Sequence, residues 1–146
     1  MAIDRHATAL SVLRITIGVL LLLLGIGKIG WFVNGSTLAR QLGEWQKAAA
    51  PGSMAARYLQ NVAVPHEGLF ARLVPLGEMT CGLAMIFGVW TWFFALIELF
   101  MVLNIHVADG TLFRYAFLTN GYGLPVVGAL IALVIGGVRL PWSIRP

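Results

Sequence analysis

The chain has 146 residues, of which 59% are hydrophobic and only 11% are charged, whereas about a quarter of the residues in a soluble domain carry a charge. This composition excludes an ordinary soluble domain and is typical of an integral membrane protein, whose partner is the lipid bilayer. The net charge of +4 comes from dispersed Lys and Arg residues with no basic run, so we expect no nucleic-acid partner. The single cysteine, Cys81, excludes an internal disulfide and a cysteine-ligated cluster within this chain.

The N-terminal apolar segment predicts a first membrane span at about residues 9–33. It is too long for the apolar part of a secretion signal, and no cleavage site of small residues follows it. Arg14 lies near one end of this span and Lys28 near the other, so both long side chains can extend toward the membrane surfaces.

Residues 34–67 are too polar to cross a membrane and predict an amphipathic connector outside it. The first half has the spacing of a helix with one apolar face, which Pro51-Gly52 ends. A second short helix is expected at Met54–Asn61, before Pro65. The connector either lies flat in the headgroup region or forms a lid over the membrane helices.

Residues 69–88 and 91–108 predict two further spans in a helical hairpin, because one span of about 20 residues cannot use the whole apolar stretch. The turn signal between them is Gly88-Val89-Trp90-Thr91. Glu78 lies inside the first arm and Glu98 inside the second. A charge at such a depth costs about 2.5 to 3.5 kcal/mol, so each carboxylate is expected to face protein or water and to have a partner.

A fourth span is predicted at about residues 121–138, where glycines and alanines permit close helix approach. The sequence therefore predicts an all-α fold, a four-helix antiparallel bundle in the membrane that forms a single domain over residues 1–146. Four spans place both termini on one side. We expect that side to be the cytoplasm, because of the basic residues beside the termini, although those in the connecting segments favour the opposite orientation. The first group is Arg5, Arg14, Arg139 and Arg145, and the second is Arg40, Lys47, Arg57 and Arg114.

Counting residues from the ends of the spans places the buried charges at two depths. Arg14 lies about five residues from the inner boundary and Glu98 about seven, which at 1.5 Å per residue is a similar depth. We therefore expect Arg14 and Glu98 to form a structural ion pair. In the outer half, Glu78 lies deeper than Lys28, whose stem is long enough to reach toward it.

The outer half of the bundle also collects Arg72, Asn104 and His106 around Glu78 and Lys28. A carboxylate, a cation and an imidazole at one depth are groups that pass protons to a small redox ligand and balance its charge. This interpretation makes Glu78 and His106 catalytic residues, and Lys28, Arg72 and Asn104 substrate-binding residues. The structural alternative is that the basic side chains extend to the headgroups while an uncharged Glu78 is hydrogen-bonded between helices.

The remaining candidates for chemistry are weaker. Cys81 lies one turn from Glu78, but apolar surroundings leave a thiol unreactive. His6 and His66 lie outside the predicted spans, and the histidines lack the spacing of metal ligands, so we expect no metal site.

Short, glycine-rich motifs occur in the first three predicted spans and before the fourth. They are Arg14 with Gly25-x-Gly27-Lys28, Gly77-Glu78 with Gly82 and Gly88, Asn104-Ile105-His106 with Gly110, and Asn120-Gly121-Tyr122. In these motifs, over nearly its whole length, the chain resembles the DoxX/DoxD family of small four-span proteins, in which DoxD is the small subunit of thiosulfate:quinone oxidoreductase. The resemblance implies a multi-pass protein of the bacterial cytoplasmic membrane, with a role near quinone-linked sulfur oxidation or thiol redox balance.

Two hypotheses follow from the resemblance. In the first, the protein is a membrane subunit of a quinone-linked oxidoreductase of sulfur metabolism. Lys28 and Arg72 then hold a reduced sulfur compound such as thiosulfate, Glu78 and His106 move protons to a quinone acceptor, and a second protein subunit is a partner. In the second, it is a non-catalytic membrane scaffold that docks a partner redox enzyme through the connector.

Overall fold

A computed structural model of the chain describes residues 4–144, which leaves Arg145 outside the described residues. Within that range the regular structure is helical and no β-strand occurs. The helices are α1 (Arg5–Gly27), α2 (Ser36–Ala48), α3 (Met54–Tyr58), α4 (Glu67–Phe87), α5 (Thr91–Ala108), α6 (Tyr115–Thr119) and α7 (Leu124–Gly136). A 3₁₀ turn, Ile29–Phe32, follows α1, and a π-helical turn, Leu59–Ala63, extends α3.

Helices α1, α4 and α5 are long and apolar enough to cross a membrane. This confirms the all-α prediction, and the three long apolar helices correspond to the first three predicted spans. The fourth apolar segment forms a shorter helix than predicted, because α7 has only 13 residues. At 1.5 Å per residue such a helix is about 20 Å long, against about 30 Å for the hydrocarbon core of a bilayer.

The first span ends earlier as a helix than the sequence predicted. Three glycines, Gly25, Gly27 and Gly30, lie within six residues of each other, and glycine is a poor helix former. Lys28 therefore terminates α1, with its backbone N–H bonded to the carbonyl oxygens of Gly25 and Ile26. The chain turns at this point, so Lys28 stands at the end of a helix.

Helices α1 and α4 pack antiparallel with their backbones in close contact. A Cβ atom placed on Gly82 would lie 2.6 Å from the Leu22 nitrogen and 2.8 Å from the Gly18 oxygen. Near the other end, Gly25 lies against Met79. Small residues at these points allow the tight helix contact that is common in membrane proteins.

Helices α4 and α5 are joined by the predicted turn, in which Gly88 and Trp90 have φ angles of 67° and 42°. The far ends of both helices are covered by the connector, where a separate apolar cluster forms. Its buried members are Leu38, Leu42, Leu59, Ala63, Ala71 and Ala108. Because this cluster joins α2 and α3 to α4 and α5, the connector is packed onto the bundle as a lid.

Candidate functional site

An ion pair between Lys28 and Glu78 lies under the lid. The Lys28 Nζ atom is 2.7 Å from each carboxylate oxygen of Glu78. Lys28 ends α1, whereas Glu78 lies in the middle of α4. The long side chain of Lys28 therefore turns back into the bundle to reach the carboxylate. The Glu78 side chain is 4% exposed and that of Lys28 is 23% exposed, so the pair is shielded from bulk water on the carboxylate side.

A cavity of about 280 Å³, here called the central cavity, adjoins this ion pair. Its polar lining is Lys28, Gln41, Glu78, Glu98, His106, Asp109, Asn120 and Tyr122, and apolar residues of α1, α5 and α7 complete the wall. Three of the five predicted catalytic and substrate-binding residues thus line one cavity: Lys28, Glu78 and His106. Trp45 of the lid also lines the cavity.

His106 is held in a fixed orientation at the edge of the central cavity. Its Nε2 atom lies 3.2 Å from the carbonyl oxygen of Tyr122, which only accepts hydrogen bonds, so Nε2 carries a hydrogen and donates it. The Nδ1 atom lies 3.1 Å from the Thr111 hydroxyl and 3.5 Å from a carboxylate oxygen of Asp109. The Thr111 hydroxyl is also 2.6 Å from the other Asp109 oxygen, so Nδ1 faces a short chain of proton-exchanging groups.

The predicted ion pair between Arg14 and Glu98 is wrong. Arg14 is fully buried, but it donates to the Ser143 hydroxyl at 2.6 Å and to the Trp142 carbonyl oxygen at 3.0 Å. A Cβ on Gly88 would overlap its guanidinium group, so Arg14 lies level with the α4–α5 turn. Glu98 lies seven residues into α5, about 10 Å deeper, beyond the reach of that guanidinium.

Glu98 has instead a largely apolar environment that ends at the central cavity. Its residue surface is 2% exposed, and its Oε2 atom has no hydrogen-bond partner among residues 4–144. The thiol of Cys81 lies beside the carboxyl group. A buried polar atom without a partner costs about 1 to 3 kcal/mol, so its retention in the wall of a cavity is a sign of a ligand site.

Two predicted substrate-binding residues lie away from the central cavity. Arg72 is exposed on α4 and donates to the carbonyl oxygen of Gly68 at 2.8 Å, so it is not part of the site. Asn104 faces the lid, where the Tyr58 hydroxyl is 2.9 Å from its Oδ1 atom and 2.6 Å from its Nδ2 atom. It lines a smaller cavity of about 120 Å³, here called the lid cavity, whose wall also includes Lys28.

Sequence reasoning missed Asp109 and Glu98 as residues of the cavity, although a signal was present. The lining residues Glu98, Val102 and Ile105 of α5 and Asp109, which caps it, recur at spacings of three or four, which is one face of a helix. Gln41 and Trp45 could not be found in this way, because they come from the lid. Over residues 4–144 no group of three or more His, Cys, Asp and Glu side chains has an arrangement that could hold a metal ion.

Comparison with known proteins places these residues in a family. No curated protein and no solved structure matches the chain. The family model of DoxX matches residues 9–108, well over half of the chain. This region runs from α1 to α5 and contains Lys28, Glu78, Glu98 and His106. The chain is a membrane protein that belongs to the DoxX family.

Proposed function

We propose that the protein is the membrane subunit of a quinone-linked oxidoreductase that acts on reduced sulfur compounds such as thiosulfate, as in the DoxD-type oxidoreductase. The observation that supports this most is the central cavity, where an ion pair, an imidazole and a carboxyl group with one unpartnered oxygen meet between apolar helices. Ionisable groups at membrane depth are costly and mark proton or ligand pathways.

The lining of the central cavity suits the polar ring of a quinone. Such a ring has two carbonyl oxygens that accept hydrogen bonds, and it takes up two protons with two electrons when it becomes a quinol. Lys28 supplies a nitrogen donor at the wall, and Glu98, when protonated, supplies a buried carboxyl group of which one oxygen lacks a protein partner. The apolar residues of α1 and α7 shape the rest of the cavity for a ring.

Proton supply is the role that the structure supports for the chain's own residues. His106 lines both the central cavity and an outer cavity of about 120 Å³ that it shares with Ser53 and Arg114. A proton taken up on the lid side reaches Asp109 and the Nδ1 atom of His106 first. Glu78 and Glu98 then hold protons next to the ring, and Lys28 balances the charge that Glu78 carries once its proton has passed to the ring.

We place the binding site of the electron donor, thiosulfate, on a second protein subunit. Thiosulfate is a dianion, whereas Lys28 is already neutralised by Glu78 and Arg72 lies outside the cavity. In the balanced reaction, two thiosulfate ions each lose one electron and join through a new sulfur–sulfur bond. The two electrons reduce one quinone, which takes two protons from the residues around the cavity.

The finer topology belongs to the same proposal. Helix α7 packs antiparallel on α5, since Gly137 lies against Thr91 at one end and His106 bonds to Tyr122 at the other. We take α7 and the residues that flank it as the fourth crossing of an antiparallel bundle, with residues 1–146 as one domain. Both termini then lie on the cytoplasmic side of the bacterial inner membrane, opposite the lid.

The alternative is a non-catalytic scaffold that docks a redox enzyme. One observation favours it: the outer face of α2 is charged and exposed through Arg40, Glu44 and Lys47, and it is available to a protein partner. In that case the Lys28–Glu78 pair would only fasten α1 to α4.

Turnover with thiosulfate and a short-chain quinone separates the two functions. In a wild-type preparation that includes the partner subunit, Glu78→Gln is expected to abolish quinol formation while the protein stays folded. The matched control is Asp4→Asn at the exposed start of α1, where Asn caps the helix as Asp does, and it should keep full turnover. If the wild type forms no quinol, the scaffold is favoured, and if Glu78→Gln keeps full turnover, the proton-handling role of Glu78 is wrong.

A further inference from the structure

A groove of about 500 Å³ runs between α4 and α5 on the outside of the bundle, here called the α4–α5 groove. Its rim consists of Leu73, Leu76 and Phe100, which are 48%, 51% and 66% exposed and so face the lipid. Its floor includes small residues, among them Gly77 and Cys81. The groove is therefore open sideways to the hydrocarbon of the bilayer.

At its lid-side end the groove lies next to the lid cavity, which in turn lies next to the central cavity. Asn104 and Ile105 line both the groove and the lid cavity. Lys28 and Trp45 line both the lid cavity and the central cavity. The three spaces thus form a series, with shared walls, from the lipid to the Lys28–Glu78 pair.

The polarity of the series changes in one direction. The groove is lined almost wholly by apolar side chains, and the Asn104 amide stands at its end. Beyond Asn104 come the ammonium group of Lys28 and then the carboxyl groups of the central cavity. A ligand that fits this gradient has a long apolar chain attached to a ring that accepts hydrogen bonds.

We propose that the α4–α5 groove holds the isoprenoid tail of a quinone whose ring occupies the central cavity, and that it is the entrance from the bilayer. The inference rests on the proposed function for the identity of the ring. The Asn104 amide lies on the path of the ring, between the groove and the lid cavity, and the tail stays in contact with Leu76, Ile97 and Phe100.

Two other occupants fit the series less well. The acyl chain of a phospholipid would fill the groove, but its charged headgroup belongs at the membrane surface and would not enter the cavities under the lid. A helix of a partner protein, about 10 Å across, would cover the rim but would leave the Asn104 end without a ligand. Only a tailed ring uses the groove and the cavities together.

Photolabelling tests the tail site directly. The probe is a benzoquinone with an isoprenoid tail that ends in a diazirine, added to the purified protein in lipid nanodiscs. Labels mapped by mass spectrometry are expected on residues 73–80 and 97–101, and excess unmodified isoprenoid quinone should remove them. A phospholipid with the diazirine on its acyl chain is the comparison probe. If it labels the groove equally, or if the quinone probe labels other faces, the inference is wrong.

A blocked groove provides the second test. Thr80→Trp places an indole in the groove, and Leu23→Trp places one at a lipid-exposed site of α1 outside it. Thr80→Trp should lower groove labelling at least tenfold, whereas Leu23→Trp should not change it. Equal labelling of both variants contradicts the inference. Groove labelling without quinone reduction would support the tail site and reject the proposed function. Quinone reduction without groove labelling would support the proposed function and reject the tail site.

Discussion

Lys28 Nζ lies 2.7 Å from both carboxylate oxygens of Glu78, so a cation at the end of α1 and a carboxylate within α4 form one unit. The two helices are in close contact at Gly18, Gly25 and Gly82, and this pair adds a polar contact near their lid-side ends. The same pair forms a wall of the central cavity. Its stability and its chemistry are therefore open to test by the same substitutions.

The Lys28–Glu78 pair should show strong coupling in a double-mutant cycle. Lys28→Met leaves Glu78 as a buried carboxylate without its cation, and such a loss costs about 3 kcal/mol. The double variant Lys28→Met with Glu78→Gln removes both charges and should recover much of that loss. Melting in detergent provides the free energies of unfolding. Additive losses, with no recovery in the double variant, would contradict the pairing.

Arg14 is expected to hold the C-terminal tail to the hairpin turn. Its guanidinium bonds to Ser143 and to the Trp142 carbonyl oxygen, and the Ile144 amide donates to the Phe87 carbonyl oxygen at 3.0 Å. Arg14→Lys keeps the charge but loses the fork of donors, so deuterium uptake by the tail peptide should rise. Arg139→Lys, at an exposed site, is the control. Unchanged uptake in Arg14→Lys would show that the tail is held by other contacts.

The span boundaries were predictable from the sequence where strong local signals exist. Helix α5 covers residues 91–108 as predicted, because a glycine turn precedes it and its apolar run is continuous. The reach of Lys28 toward Glu78 followed from depth and side-chain length. The predicted pairing of Arg14 with Glu98 failed for two reasons. The C-terminal tail has no periodic pattern that would show that it folds back onto Arg14, and the depth of a residue in the membrane does not choose among possible partners.

Depth also says nothing about the face of a helix. Arg72 and Glu78 are six residues apart, which at 100° per residue puts them about 120° apart around α4. Asn104 and His106 are two residues apart and likewise do not share a face. Adding helical periodicity to the depth count would have excluded Arg72 from the site of Glu78. It would also have placed Asn104 and His106 on different faces of α5. The lid residues Gln41 and Trp45 required the fold itself.

The close contact of α1 with α4 predicts that Gly82 cannot be enlarged. A Cβ at this site meets the backbone of α1 at 2.6 Å, and backbone cannot move aside cheaply. Gly82→Ala should lower the free energy of unfolding by about 1 to 3 kcal/mol. Gly128→Ala in α7, where a Cβ meets nothing within 4 Å, is the control and should raise it by at most about 1 kcal/mol. Equal effects of the two changes would reject the close packing.

Single cysteines test whether α7 crosses the membrane. In a Cys81→Ala background, Ala48→Cys lies on the exposed side of the lid and Ile144→Cys lies on the tail beside the α4–α5 turn. A membrane-impermeant maleimide should label one of them in intact cells and the other only after lysis. Labelling of both from the same side would contradict the fourth crossing.

Replacement of Glu98 by an apolar residue should stabilise the protein. Its Oε2 atom is buried without a partner, so Glu98→Met removes a desolvation cost and keeps a similar volume. We expect the free energy of unfolding to rise by about 1 kcal/mol. Glu78→Met is the matched control, and it should lower this free energy because it leaves Lys28 without its carboxylate.

The activity of the same variant gives the second half of this prediction. If Glu98 supplies protons to the central cavity, Glu98→Met should be more stable than the wild type and yet slower in quinol formation, by tenfold or more. Replacing a residue that serves only packing would not raise stability and lower activity together. That combination is typical of sites that serve a ligand, where function is maintained at a cost in stability. A loss of stability in Glu98→Met would mean that the carboxyl group has a structural partner, and unchanged turnover would remove Glu98 from the site.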